Sequence, residues 1–384
     1  VIIGNPPWVE SKKLDKIDKK YFEDSYQVAR RQYDLFTIFI EKALKLLKPN
    51  GILGFIVPNR YITNLDYVDF RKFLLNNSDL LKIIDLGDGV FNEVQMPSSI
   101  ILLRKSRTKD NKLAISDKLD GEEQSRNQDD FLKDKNFSFS IYGASDSGGL
   151  VEKIEKNSEE FKYFVENHRG VEIGKKNQIV SRTQDKEYNT PFLIGEDLDR
   201  YVINSMHYIK LNEAKVNYKD KSIYQGNKIL IRKTGLGIRA YLDRENLYVI
   251  QVIYIFKKDK TFRNIEESYF LGILNSKLMS FYYFNEYGER KRKVFPHLTQ
   301  GKVLSLPIHK LNLSNKNERE IYNSTVKQVN KMLELNKLFK NSLKYSNKWT
   351  KLKSEIEETD KTIDELVYDL YGLTQNEKET VENY

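Results

Sequence analysis

Asn5, Pro6, Pro7 and Trp8 stand directly after a short apolar run, Val1 to Gly4, and their types and order have a chemical use. The run reads as a buried strand. Each proline fixes its own φ, lacks an N–H donor and holds the residue before it extended. A stiff corner results, at which the Pro6 carbonyl oxygen and the Asn5 carboxamide oxygen point outward together. Two acceptors with almost no competing donor suit an amino group, because both of its N–H bonds are then occupied. Bonding both hydrogens draws the nitrogen away from planar conjugation with a ring and exposes its lone pair for attack. Trp8 adds a flat face on which a base stacks.

Such a corner needs a sheet to hold it, and the first hundred residues supply one. "YDLFTIFIEKALKLLKPNG" (33–51) keeps its apolar positions at helical spacing until Pro49-Asn50-Gly51 stops it. "ILGFIVP" (52–58) reads as a second buried strand, "YVDFRKFLLNN" (67–77) as a helix and "LKIIDL" (81–86) as a third strand. This alternation implies crossovers and a mostly parallel sheet. "GVFNEVQMPSSIILLRK" (89–105) reads as a hairpin. Ligand sites in such sheets lie beyond the carboxyl ends of the strands, where Asn5 to Trp8 stand. "IIDLGDG" (83–89) offers a glycine turn as well. Phe91 occupies the place of a third glycine, and Pro97 and "SSIILL" follow instead of a helix, so it is not read as a phosphate or cofactor loop.

Residues 106–160 shift to polar, charged and glycine-bearing composition, which predicts a linker or mobile surface segment. Aromatic and β-branched runs return at 201–211, 227–235, 238–243 and 246–258, predicting a β-rich domain over 161–312. From 313 to 384 the chain reads as helical, ending in a short amphipathic helix, 362–374, with Gly372 at its C-cap. Basic residues of the β-rich domain sit among aromatics and turns: Lys175, Lys176 and Arg182, then Arg232, Lys233 and Arg239, then the run Arg290, Lys291, Arg292 and Lys293. These clusters suit phosphate or groove contacts, and their arginines suit guanine edges.

Composition narrows the classes further. Across 384 residues the net charge is +9, 39% of residues are hydrophobic and none is cysteine. Disulfides, thiolate zinc sites and cysteine nucleophiles are therefore excluded, and a reducing, cytoplasmic setting is expected. No apolar run approaches the roughly 20 residues of a membrane span, so no membrane partner is expected. Asp197 and Asp199 with Glu213, Ala214 and Lys215 imitate a nuclease metal triad, but such triplets are frequent where 31% of residues are charged. The four histidines are scattered, and no metal is assigned.

The Asn5-Pro6-Pro7-Trp8 quartet resembles the Asn-Pro-Pro-aromatic signature of S-adenosylmethionine-dependent N6-adenine DNA methyltransferases. The order helix, "GILGFIVPNRYI", helix, "LKIIDLGDGVF" resembles the later strands of their catalytic domain in type IIG restriction–modification enzymes. The segment 269–308 resembles the end of the target-recognition domains of type I and type IIG systems, and the helical tail resembles their spacer helices. The resemblance implies an α/β fold: residues 1–105 as the C-terminal part of a Rossmann-like methyltransferase sheet, then a β-rich α+β target-recognition domain and a helical segment. It implies double-stranded DNA as partner and a flipped adenine held between Trp8 and Phe91, since enzymes that modify a base take it out of the stack. It also implies Arg60 facing the target strand, and Asn5 touching both amine and cofactor. In that family the glycine loop and the acidic ribose-binding residue precede the motif. The rest of the S-adenosylmethionine site is therefore expected upstream of Val1, and this piece alone is expected not to methylate. Mg2+ is expected only if an upstream nuclease domain exists. The competing reading is a non-catalytic DNA-binding specificity protein, which shares the second domain and does not need Asn5.

Overall fold

Ile2 to Gly4 do form a strand, β1 (Ile2–Gly4), and it pairs in parallel with β2 (Ile52–Pro58). The computed structural model describes all residues except 88, 92–95, 135, 140–147, 175–178, 215, 236, 288–297 and 384. The chain divides into two units: residues 1–148 with a return segment beginning at Asn285, and residues 149–284 with the chain from Phe295 onward.

In the first unit, α1 (Lys16–Ser25) and α2 (Leu35–Leu46) separate the first two strands. After β2 come α3 (Val68–Asn77), β3 (Asp79–Gly87), β4 (Ser98–Arg104), β5 (Lys112–Ser116) and β6 (Gln124–Asn127). The six strands form one sheet in the order β1-β2-β4-β3-β5-β6. β1, β2, β3 and β5 run one way, while β4 and β6 run antiparallel to their neighbours. The mostly parallel sheet expected from the alternation is thus split by β4, which lies between β2 and β3. The physical reason is in its composition. Ile101 and Leu103 are fully buried on one face and Ile100 and Leu102 half-buried on the other, as befits a central strand bonded along both edges. The expected hairpin over 89–105 is in fact β3 with β4.

One face of the sheet carries Leu53, Val57, Leu80, Ile83, Ile101 and Leu103 against Phe36, Ile40, Leu44, Phe70 and Leu74 of the helices, a single core. Truncating any of these leucines to alanine costs about 2–5 kcal/mol. On the opposite face Ile3, Ile52, Gly54, Ile56, Ile100 and Leu102 line an open apolar groove of about 350 Å³.

Residues 106–160, expected as a linker, contain β5 and β6 and extend this sheet. Leu113 and Ile115 supply its buried alternation. The polar residues that suggested a loop are bonded to backbone: the buried Gln128 accepts from Leu80 N at 2.8 Å and donates to Leu75 O and Ser78 O at 3.0 and 2.8 Å. Arg71, fully buried in α3, likewise donates to the carbonyls of Tyr61, Asn64 and Asn136. Burial pushes this guanidinium down to about 10, against the opposing pull of the Asp134 and Glu286 carboxylates.

The second unit opens with α4 (Gly148–Lys156), β7 (Ser158–Glu160), β8 (Val165–Arg169), β9 (Val180–Ser181) and β10 (Thr190–Leu193). β11 (Leu198–Asp199), β12 (Val202–Ile203), β13 (His207–Ile209), β14 (Lys228–Arg232), β15 (Ala240–Asp243), β16 (Tyr248–Val249) and β17 (Ile253–Lys258) follow. Two four-stranded sheets, β16-β10-β13-β9 and β15-β14-β17-β8, share a core of Val171, Phe192, Ile209, Leu230, Val249 and Ile255. Lys228 and Asp243 face each other across the β14–β15 ladder as an ion pair with no solvent exposure.

The remaining elements are α5 (Glu267–Asn275), α6 (Lys277–Tyr287), α7 (Gln300–Leu304), β18 (Pro307–His309), α8 (Lys316–Lys340), α9 (Asn347–Leu370) and α10 (Gln375–Glu382). β18 pairs with β7. α5 packs tightly on α8, because a Cβ on Gly272 would stand 3.0 Å from both Thr325 and Val329 methyls. The short helix expected at 362–374 is the end of the 24-residue α9. Its buried stripe of Leu352, Thr359, Ile363 and Val367 begins well upstream, where charged neighbours mask the spacing. Gly372, at φ +68°, does cap it. No helix among the described residues is long and apolar enough to cross a membrane.

Candidate functional site

The tips of β1, β2 and β3 and the start of β4 meet at one end of the first sheet, and Asn5 to Trp8 leave β1 there. Asn5 is exposed and, among the described residues, its side chain holds no hydrogen bond. Pro6 is buried behind it, and Pro7 and Trp8 are half-buried. The corner is therefore anchored while its carboxamide remains available. The Trp8 indole N–H is buried without a partner, which leaves one donor unsatisfied beside the corner.

Phe91 is brought to Trp8, as the sequence led one to expect, but not as a second parallel face. The rings meet edge to face, with centroids 5.4 Å apart and planes at 82°. No base fits between rings so close and so nearly perpendicular. In this arrangement Trp8 presents the face and Phe91 the side wall.

The strand tips are tied together by residues that sequence reasoning passed over. Asn59 Nδ2 donates to Asp85 Oδ1 at 2.8 Å, and its backbone N–H donates to Pro97 O at 3.0 Å. Gly87 N, in the left-handed turn ending β3, also donates to Asp85 Oδ1. These bonds join the ends of β2, β3 and β4. Position was the available signal: Asn59 directly follows the last residue of one strand, and Asp85 lies two residues from the end of another.

Arg60, expected to face DNA, turns to acidic partners of its own unit. Its Nη1 lies 3.3 Å from Glu10 Oε1 and 3.8 Å from Asp34 Oδ2, and its Nη2 lies 3.2 Å from Met96 Sδ. Tyr67 donates to Asp34 Oδ2 at 2.9 Å. Burial pushes the Asp34 carboxyl up, against the pull of Arg60 and the Tyr67 hydroxyl, while the Lys12 ammonium holds Glu10 down. Glu10, Lys12, Asp34, Arg60, Asn64 and Tyr67 line a cleft of about 130 Å³. Ligand pockets run to about 300–1,000 Å³. This charged cleft is too small for a nucleoside cofactor.

In the second unit, Arg182 is largely exposed, 4.0 Å from Glu196. Arg232 Nε donates to Thr234 Oγ1 at 3.2 Å, and Lys233 is held through its backbone to Val252 and Leu298. Arg239 grips both oxygens of Asp199 at 2.6 Å, which makes it a brace within the fold. Gly235, at φ +129°, lies against it: a Cβ there would stand 3.1 Å from Arg239 Nε. Lys175, Lys176, Arg290, Lys291, Arg292 and Lys293 lie outside the described residues. The nuclease-like triad does not converge: Asp197 accepts from Ser205 and pairs with His207 at 2.8 Å, Asp199 holds Arg239, and Lys215 lies outside the described residues. No group of three metal-binding side chains occurs among the described residues.

Residues 1–91 match the Eco57I restriction-modification methylase family, and residues 190–308 match the TaqI-like C-terminal specificity domain. In this chain a segment similar to restriction–modification methylases precedes a segment similar to their specificity domains. RM.MjaORFECS2P of Methanocaldococcus jannaschii, assigned as a type II restriction enzyme and methyltransferase, is 28% identical over 335 residues, covering 80% of this chain and 27% of the relative. RM.Eco57I of Escherichia coli, a type II restriction enzyme and methyltransferase, is 33% identical over 109 residues, covering 27% of this chain and 11% of its own length. This chain therefore spans only a minor part of these relatives. The type IIL restriction–modification enzyme MmeI, solved in complex with DNA, shares the fold with a TM-score of 0.63 at 13% identity, over 97% of this chain and 54% of MmeI. The stretch that matches the methylase family ends at Phe91, and the stretch that matches the specificity domain contains Arg232, Lys233 and Arg239.

Proposed function

We propose that this chain supplies the target-base corner and the DNA-reading surface of a site-specific adenine-N6 DNA methyltransferase in a restriction–modification system of the type IIG kind. The observation that carries this reading is the exposed, unbonded Asn5 carboxamide beside Pro6 at the strand tips, with Trp8 next to it. An adenine flipped out of the duplex lays its ring on Trp8. Its N6 amine donates one hydrogen to Asn5 Oδ1 and the other to the Pro6 carbonyl, and the nitrogen lone pair turns outward. The Asn59–Asp85 tie keeps the strand tips from spreading while the amine docks. Phe91 closes the edge of the base.

S-adenosylmethionine is the methyl source in this reading, with Asn5 touching it and the rest of its site outside the described residues. The proposed DNA-reading domain runs over 161–312, with Arg182 the exposed basic contact among its described candidates. Lys175, Lys176 and Arg290 to Lys293 join it on sequence pattern alone.

The test substitutes Asn5→Ala in an enzyme containing this chain and measures methyl incorporation and DNA affinity together. Losing a preorganised acceptor costs about 10²–10³-fold in rate, so methylation falls at least about 100-fold while DNA binding stays within twofold. Undiminished methylation refutes the reading. A non-catalytic specificity role, the competing reading, does not need Asn5 and predicts no methylation by any enzyme that contains this chain.

A further inference from the structure

The turn joining α8 to α9 concentrates charge and aromatic surface in a way that packing does not require. Between Glu334 and Glu355 the sequence holds six lysines, at 337, 340, 344, 348, 351 and 353, and no acidic residue. Residues 355–384 hold ten acidic residues against two lysines. The two-helix hairpin is therefore split, basic at its tip and acidic toward the chain end. All six lysines are exposed. Lys351 and Lys353 lie 3.8 and 3.9 Å from Glu355 and Glu357, and Lys340 donates to Ile203 O. Among the described residues Lys337, Lys344 and Lys348 face no carboxylate. They sit on the last turn of α8, the connection and the first turn of α9, so they surround the tip.

The tip also displays apolar groups. Leu343 is 81% and Tyr345 76% exposed, and Tyr345 packs its ring 5.6 Å from Trp349, which in turn lies 5.2 Å from Phe339. Tyr345 adopts φ +65°, a conformation that costs a bulky residue about 1–2 kcal/mol and that glycine adopts freely.

We propose that this tip grips the phosphate backbone of duplex DNA without regard to sequence, outside the segment that matches the specificity domain. The inference rests on the reading that this chain binds DNA. Lysine ammoniums are compact point charges suited to phosphates, and protein–protein interfaces are depleted in lysine, so charge and residue type both favour nucleic acid over a protein partner. The exposed tyrosine and leucine lie against sugar edges between phosphates.

The experiment titrates the whole chain against a fluorescent duplex of random sequence, by anisotropy, from about 50 to about 200 mM salt. The tip variant is Lys337→Gln/Lys344→Gln/Lys348→Gln. A control, Lys316→Gln/Lys327→Gln/Lys331→Gln, removes the same charge from the rest of α8. Each phosphate contact contributes about 0.9 to the log–log salt slope, so the tip variant loses about 2.7, and over this range the wild-type affinity falls about 40-fold further than the variant's. The control keeps most of the slope. Equal loss in both variants, or loss in neither, overturns the tip assignment and leaves DNA binding by the chain intact. Absence of DNA binding by the wild type overturns both readings. Self-association that disappears in Leu343→Ser, with the salt slope unchanged in the tip variant, assigns the tip to a second copy and overturns the proposal. All substituted residues are exposed, and far-UV circular dichroism verifies that the helices persist.

Discussion

Asp364 gives the second unit a pH dependence whose size follows from its surroundings. It is buried in α9, its Oδ1 accepts the Lys277 N–H at 2.9 Å, and its Oδ2 is buried without a partner. Burial pushes the carboxyl from 3.8 up to about 7, with Asp360 adding to the rise and the Lys277 N–H and Arg200 working against it. The folded chain therefore binds this proton more tightly than the unfolded chain. The resulting stability is fully present below about pH 4 and is lost as pH rises through 7. Between pH 5 and pH 8 the loss from this one group is about 2.5 kcal/mol. Asp364→Asn keeps an oxygen for the Lys277 N–H and removes the titration. Urea unfolding of both chains at several pH values across that window isolates the effect, because the other titrating groups cancel in the difference. Relative to the variant, the wild type should lose about 2.5 kcal/mol from pH 5 to pH 8. Parallel stability curves would refute the reasoning.

Lys228→Met strands Asp243 in the core, but the Glu245 and Leu247 N–H groups at 2.7 and 2.9 Å still hold that carboxylate. Denaturant unfolding should show a cost near the lower end of the usual range, about 3 kcal/mol, and a change under about 1 kcal/mol contradicts the buried pair. Gly170→Ala places a Cβ 2.0 Å from Val249 O, a backbone atom that cannot step aside, so a loss of about 3 kcal/mol or failure to fold is expected from thermal melts. Phe91→Ala removes the edge contact to Trp8, worth about 1 kcal/mol. In a Trp349→Phe background, where Trp8 is the remaining tryptophan, its emission should shift to the red; an unchanged spectrum counts against the contact.

The strand that leads into the corner was legible from its local apolar run, and the two prolines after Asn5 set their own backbone without a distant residue. The β-rich run, the helical tail and the glycine cap of α9 were legible for the same reason, as short-range spacing. What sequence could not give depends on partners far along the chain. Arg60 looked like a free cation, yet Glu10, 50 residues away, and Asp34 claim it. Gln128 and Asn111 looked like loop residues, yet both bond the Leu80 backbone, 48 and 31 residues away. The Trp8–Phe91 angle is set where the β3–β4 connection leaves Phe91, which the alternation of apolar residues does not encode.

The interposed β4 imposes a timetable on assembly. β3 and β4 are neighbours in the chain and form a local hairpin, whereas β2 reaches β4 only across the intervening helix. The hairpin therefore zips first and docks on β2 as a finished piece, the slower, longer-range event. A nascent chain that has not yet delivered Arg104 from the ribosome holds β2 and β3 with bare, sticky margins, and chaperone demand should peak in that interval of synthesis.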